Sequence, residues 1–155
     1  MATKKIASFK KLLTKARHVG LDSMCFIYQF ANHPQFAPLT NIIFDKLNQQ
    51  QLKANTSTIS VIETLVLPER RGQSELVNEY TKVFDLLPNL EVISLDKPVA
   101  RLAAKLRATY PKIRTPDAIQ LSTAILSRSK IFITDDKQLK QVSQIDVILL
   151  SDYKD

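Results

Sequence analysis

The sequence predicts an α/β protein in which a parallel sheet is covered by helices on both faces. Three observations carry that expectation. Short apolar segments alternate with helix-like segments along the chain. The strand-like segments lack a clear in–out alternation, as expected of strands buried on both faces. The chain has 155 residues, 45% of them hydrophobic, which suits one domain around a single core and excludes general disorder.

Residues 1–17 read as a basic N-terminal extension, either a short helix over 8–16 or a flexible arm. A single domain over 18–155 follows. His18-Val19-Gly20-Leu21-Asp22 is a short buried strand ending in an acid. The apolar run 24–32 begins a helix at once, and Pro34 and Pro38 break it. Leu39, Ile42, Ile43, Phe44 and Leu47 recur at helical spacing, which predicts a helix to about residue 53. Residues 56–60 are β-prone and lead into a short helix over 61–67, stopped near Pro68. Leu76, Val77, Tyr80, Val83, Phe84 and Leu87 form one helical face over 74–87. Residues 91–95 are a strand, and Asp96-Lys97-Pro98 caps a helix over 98–109.

Thr115-Pro116-Asp117 combines a capping hydroxyl, a proline in the first turn and an acid, so a helix starts there and runs to about residue 127. Residues 130–134 form a strand, Asp135-Asp136 opens a short helix to about residue 142, and 146–150 is the last strand. No internal repeat or low-complexity linker is present.

Composition excludes several function classes. The two glycines, Gly20 and Gly72, cannot build a glycine-rich phosphate loop or a dinucleotide fingerprint. The one cysteine, Cys25, lies in an apolar run and reads as a small buried residue. It forms no internal disulfide, which implies a reducing compartment. His18 and His33 lack ligand spacing, so no zinc site is expected. No apolar run approaches the ~20 residues of a membrane span, and no cleavable leader is apparent. The expected location is the cytoplasm. The net charge of +7 favours a polyanionic partner. Cations cluster at Lys4, Lys5, Lys10, Lys11, Lys15 and Arg17, and again at Lys97, Arg101, Lys105, Arg107, Lys112 and Arg114.

Four acids carry the candidate chemistry. Asp22 ends the first strand, Asp117 opens a helix, and Asp136 follows the strand over 130–134. Glu63, one turn into the helix after the second strand, reaches the same rim. Open α/β sheets bind ligands outside the carboxyl ends of their strands. Taken singly, the aspartates read equally well as helix caps or first-turn acids, and Glu63 as a solvent-facing residue. Gathered at one edge, they repel, and each raises the others' pKa. A divalent cation relieves that cost, and oxygen-only ligands select Mg²⁺ or Mn²⁺. Such an ion activates water and stabilises charge on a phosphoryl group. Between Asp135 and Asp136 either one caps the short helix while the other points inward. Asp96, Asp146 and Asp152 read as structural.

Leu21-Asp22-Ser23, Ser60-x-x-Glu63, Thr115-Pro116-Asp117-Ala118 and Ile133-Thr134-Asp135-Asp136-Lys137-x-Leu139 together resemble the four motifs of PIN-domain nucleases. In size the chain is similar to the single-domain VapC-type toxin ribonucleases. The resemblance implies a three-layer α/β/α sandwich with a parallel sheet of about five strands. It also implies a Mg²⁺- or Mn²⁺-dependent ribonuclease with Asp22, Glu63, Asp117 and Asp136 as catalytic residues. Asp22, Asp117 and Asp136 would hold metal, and Glu63 would hold metal or orient the nucleophile. Ser23, Ser60, Thr134 and Asp135 would brace them, and Arg114, Lys112 and Lys137 would hold RNA. An antitoxin protein and a second copy of the chain are the implied partners. Met24 departs from the asparagine usual in the first motif, and Gln138-Leu139 from an acid–aromatic pair. Neither removes a metal ligand. The competing expectation is a non-catalytic module that binds RNA or protein through the same fold. Asp-x-Asp phosphatases and receiver domains fit poorly, because Met24 stands where the former need a second acid and Leu21-Asp22-Ser23 lacks the acid pair of the latter.

Overall fold

Five short strands lie side by side, all parallel, in the computed structural model, which describes residues 3–155. They are β1 (His18–Leu21), β2 (Lys53–Ser57), β3 (Leu90–Ile93), β4 (Ile131–Thr134) and β5 (Asp146–Leu149), in the order β3-β2-β1-β4-β5. The chain therefore works outward from β1 in one direction, then returns to place β4 on its other side. The strand order reverses between β1 and β4, and that is where such sheets bind ligands.

Among the described residues seven helices cover the sheet: α1 (Lys4–Ala16), α2 (Ser23–Phe30), α3 (Ala37–Asn48), α4 (Thr58–Arg70), α5 (Ser74–Leu86), α6 (Lys97–Thr109) and α7 (Thr115–Leu126). Two 3₁₀ helices, Lys137–Gln141 and Leu150–Asp152, follow β4 and β5. The result is the three-layer α/β/α arrangement. Alternation along the strands divides the core in two. Ile131 and Ile133 join Val19, Leu21, Phe26, Ile43 and Phe84 on one side, and Phe132 joins Val147, Leu149, Leu106 and Leu121 on the other. Among the described residues no helix is long and apolar enough to cross a membrane.

Gly20 explains how α7 reaches the middle of the sheet. A Cβ there would lie 2.5 Å from the Ala124 Cβ and 3.0 Å from the Phe132 ring. Glycine on β1 and alanine on α7 allow an approach that no larger pair permits.

Several elements differ from expectation. The first two residues of the predicted extension lie outside the described residues. The rest of it forms the 13-residue α1, and Phe9 and Leu13 are fully buried in the core. A spacing of four brings them to one face, so the cations take the other. Truncating Leu13 to alanine is expected to cost about 2–5 kcal/mol, read as a fall in the urea midpoint; a flexible arm would lose nothing. α3 ends at Asn48, short of the predicted 53, because Leu52 is buried and Lys53 begins β2. α2 ends at Phe30, ahead of both prolines expected to break it, and Pro38 stands in the first turn of α3, where a residue needs no N–H partner. β2 lies three residues earlier than predicted. Ser57 Oγ accepts from Ile59 N and starts α4, which carries Pro68 and runs on to Arg70.

Candidate active site at the carboxyl edge of the sheet

Asp22 sits directly beyond β1 and caps α2. Its backbone N–H donates to Ile133 O at 3.0 Å, continuing the ladder to β4. Its carboxylate is 5% exposed, and both oxygens are held. Oδ1 accepts from Ser23 N at 2.8 Å and Ser23 Oγ at 3.3 Å, and Oδ2 accepts from Thr134 Oγ1 at 2.6 Å. The single Ser23 hydroxyl proton is shared between Asp22 Oδ1 and Glu63 Oε2, tying α2 to α4. Thr134 in turn accepts from Asp136 N at 3.1 Å. Two hydroxyls thus link Asp22 to Glu63 on one flank and to the Asp136 backbone on the other.

Asp117 lies in the first turn of α7, with its side chain 13% exposed, and Arg114 Nε is 3.5 Å from its Oδ2. The expected threonine cap is absent. Arg114 occupies the capping position without a side-chain bond, and Thr115 Oγ1 instead accepts from Arg107 at 2.8 Å. The neighbouring acids after β4 separate cleanly. Asp135 accepts from Tyr28 Oη at 2.9 Å and Ser151 N at 3.1 Å, which fastens it to α2 and the C-terminal turn. Asp136 caps the 3₁₀ helix through Gln138 N at 2.9 Å, and its charge acts on Asp117.

The carboxylates are crowded. Burial pushes the Asp22 carboxyl up from 3.8 to about 6. The charges of Asp117 and Glu63 push the same way, against the hydrogen bonds from Thr134 and Ser23. Asp117 is raised by burial too, and by Asp136 and Glu63, while the Arg114 guanidinium opposes. Each acid therefore stands within the field of at least one other. Cys25, behind them, is no nucleophile: burial holds its thiol well above its ordinary value.

Among the described residues no three acidic, histidine or cysteine side chains form a ready-made metal cage. Mg²⁺ does not need one. It keeps several waters and binds through one or two carboxylates plus substrate phosphates. The donors here are oxygen only, and beyond the effect of burial the neighbouring carboxylates raise the pKa of Asp22 and Asp117. The residues fit a hard divalent cation.

The PIN domain family model matches residues 19–145, from β1 to the start of β5, and spans all four acids. The chain belongs to the PIN-domain family. No curated protein matches it by sequence. Among solved structures it is similar in fold to VapBC2 from Rickettsia felis bound to a promoter DNA fragment, with a TM-score of 0.67 and 17% identity. That match covers 89% of this chain and 99% of the other. DNA-bound VapBC from Salmonella typhimurium matches with a TM-score of 0.60 and 18% identity, over 86% and 98% of the two chains. VapBC-5 from Mycobacterium tuberculosis matches with 0.56 and 17%, over the same shares. PIN domains are in general nucleases that use divalent metal ions.

Two features of this PIN domain escape motif matching. Ser60, expected to brace the carboxylates, makes no hydrogen bond to one. Because α4 starts early, its hydroxyl turns inward, pairing with Thr56 Oγ1 at 2.6 Å and accepting from Gln120 Nε2 at 2.7 Å. Gln120, buried on α7 three residues after Asp117, also accepts from Ser57 N at 3.1 Å. It locks the helix bearing Asp117 to the start of the helix bearing Glu63. Its i+3 spacing from Asp117, in an otherwise apolar run, was the available signal.

Proposed function

We propose that this PIN domain is a Mg²⁺- or Mn²⁺-dependent endoribonuclease and the toxin of a toxin–antitoxin pair. The observation that carries the nuclease reading is the crowding of Asp22, Glu63, Asp117 and Asp136 at the switch point of the sheet, with Asp22 pushed up to about 6. Asp22, Asp117 and Asp136 are the metal-holding acids, directly or through water. When bound, the ion supplies water activation and stabilises charge on the phosphoryl oxygens. Ser23 and Thr134 hold the Asp22 oxygens in place, and Ser23 fixes Glu63, which holds metal or orients the attacking water. Arg114, Lys112 and Lys137 are exposed at the rim and take RNA phosphates. The Arg114–Asp117 pair, with Arg114 80% exposed, is worth about 0–1 kcal/mol. The guanidinium can therefore leave Asp117 for a phosphate at little cost.

The toxin reading draws on two structural neighbours, a toxin–antitoxin complex from Klebsiella pneumoniae and VapBC-5 from Mycobacterium tuberculosis, of the VapBC family of toxin–antitoxin systems. An apolar hollow of about 350 Å³ between α2, α4 and α5 supports it. Ile27, Phe30, Leu67 and Tyr80 line the hollow, with Glu63 and Arg71 also on its wall. A partner segment with apolar anchors seated there lies against the Glu63 side of the site. Ile62 and Val66, 63% and 48% exposed on α4, offer a face to a second copy.

The test is endonucleolytic cutting of labelled single-stranded RNA by the purified chain. Cutting should require Mg²⁺ or Mn²⁺ and stop in EDTA. Asp136→Asn should lower the rate roughly 100-fold or more, on the scale of one lost electrostatic stabiliser, while Asp135→Asn should retain most of it. Equal losses at both positions would remove the assignment of Asp136. Cutting that persists in EDTA would remove the metal. Growth arrest by this chain, relieved by co-expressing the adjacent reading frame, tests the toxin role.

A further inference from the structure

The excess positive charge of this protein is not spread over it. Residues up to Arg17 carry six cations and no acid, leaving 16 cations against 15 acids in the rest of the chain. Nearly the whole net charge of +7 therefore belongs to α1 and the residue that ends it. That helix precedes the segment matched by the family model. Its apolar residues Phe9 and Leu13 are fully buried, so no apolar face remains for a membrane surface. Lys4, Lys5, Lys10, Lys11 and Lys15 are all exposed.

The fold brings further cations to the end of α1 that carries Lys15 and Arg17, whereas Lys5 at its start donates to Lys154 O at 3.0 Å. Arg17 O accepts from Lys53 N, and His18 O from Lys130 N, each at 2.9 Å. These bonds set Arg17, Lys53 and Lys130, from three separate stretches of chain, side by side at the amino edge of the sheet. Lys46 reaches Thr14 Oγ1 at 3.3 Å and extends the group onto α3. An open hollow of about 740 Å³ lies in this edge, walled by Arg17, His18, Lys53, Gln50, Gln51 and Asn89. Acids also lie at this end. Asp146 shares a smaller hollow with Lys15 and Lys130, Glu91 acts on His18, and Asp45 and Asp85 stand in the last turns of α3 and α5. None pairs with a cation: among the described residues the one ion pair is Arg114–Asp117, at the other edge.

We infer that the amino edge of the sheet, with α1, is a second RNA-binding surface that grips the phosphate backbone away from the cutting site. Unpaired lysines and arginines drawn together on a rigid helix and three strand starts suit a regularly charged strand. The amide side chains of Gln50, Gln51 and Asn89 add hydrogen-bonding groups for nucleotides resting in the hollow. Its service to cleavage rests on the ribonuclease reading above; binding does not.

The test uses the full chain in EDTA, where binding is measured without cutting. Fluorescence anisotropy with an RNA of about 20 nucleotides, and with a DNA duplex of the same length, is followed between about 50 and 200 mM salt. In K10Q/K11Q/K15Q the RNA affinity at low salt should fall roughly tenfold or more, and the salt slope by about 2, at ~0.7 per lost phosphate contact on a single strand. K10R/K11R/K15R should keep both. An unchanged slope in the glutamine variant overturns the inference, and points to an acidic protein as the occupant. A loss confined to the DNA duplex overturns the assignment to RNA. A slope that falls in a chain showing no metal-dependent cutting leaves the surface standing and removes the nuclease. Normal cutting with an unchanged slope does the reverse.

Discussion

Asp22→Asn should abolish cleavage and at the same time make the protein more stable at neutral pH. The stability gain follows from the Asp22 carboxyl, pushed up to about 6 by burial and by its acidic neighbours. In the unfolded chain the same group titrates near 3.8. Between these values the native state binds the proton more tightly, so stability falls as pH rises through the window. Above about 6 the penalty is fully present, on the order of 3 kcal/mol at 1.36 kcal/mol per unit; below about 4 it is absent. Asparagine removes the charge and keeps an acceptor for Ser23. The variant should melt about 5–10 °C higher at pH 7.5 and show no such gain at pH 4. Its cleavage rate should fall by about a thousandfold, the equivalent of ~4 kcal/mol of lost phosphoryl charge stabilisation. Scanning calorimetry at the two pH values, with a cleavage assay, reads both. A variant that melts lower at pH 7.5 would show that Asp22 holds the fold together rather than straining it.

Gly20→Ala should damage the fold and the site together, although Gly20 touches none of the acids. Its new Cβ would meet Ala124 at 2.5 Å, so α7 must lift from β1 or the strand must bend. Overpacking of this kind costs about 1–3 kcal/mol. Ala124 lies seven residues after Asp117, two turns along the same helix face. Lifting α7 therefore moves Asp117 relative to Asp22 and strains the Gln120 bonds to Ser57 and Ser60. Cleavage should drop further than the small loss of folded protein explains. The partner variant Ala124→Gly removes the obstructing methyl, at a helix cost of about 1 kcal/mol. Combined with Gly20→Ala it should recover activity, giving a favourable interaction energy in the double-mutant cycle. Simple additivity of the two losses would place the damage elsewhere.

The places of Asp22 and Asp117 at the carboxyl edge were legible in the sequence. A short apolar strand ending in an acid fixes the first, and the proline and acid of a helix's first turn fix the second, both by local rules, although the threonine there is no cap. The β/α alternation gave the layers for the same reason. What was hidden depends on partners far along the chain. Ser57 read as strand, whereas in the structure it both ends β2 and caps α4. As a cap it shifted α4 and turned Ser60 toward Gln120, sixty residues away. Asp135 and Asp136 were indistinguishable until Tyr28 and Ser151 claimed the first. In α1 the spacing of Phe9, Leu13 and Ala16 is helical, but the run of lysines left a short helix over 8–16 and a flexible arm equally open, and neither anticipates burial in the core. Gly20 was visible as a rarity in the sequence, and only the approach of Ala124 gave it a purpose.

The claim at the centre is that crowded carboxylates at the β1–β4 switch are held for a divalent cation. Calorimetric titration of the native chain with Mn²⁺, against Asp22→Asn, tests it most directly. The native chain should show saturable binding. Because Asp22 is partly protonated near pH 6, binding there should release protons, seen as a heat that varies with the buffer, and the release should vanish near pH 8. Asp22→Asn should bind far more weakly at both pH values. Equal Mn²⁺ binding by the two proteins, or no saturable binding by the native chain, would contradict the account.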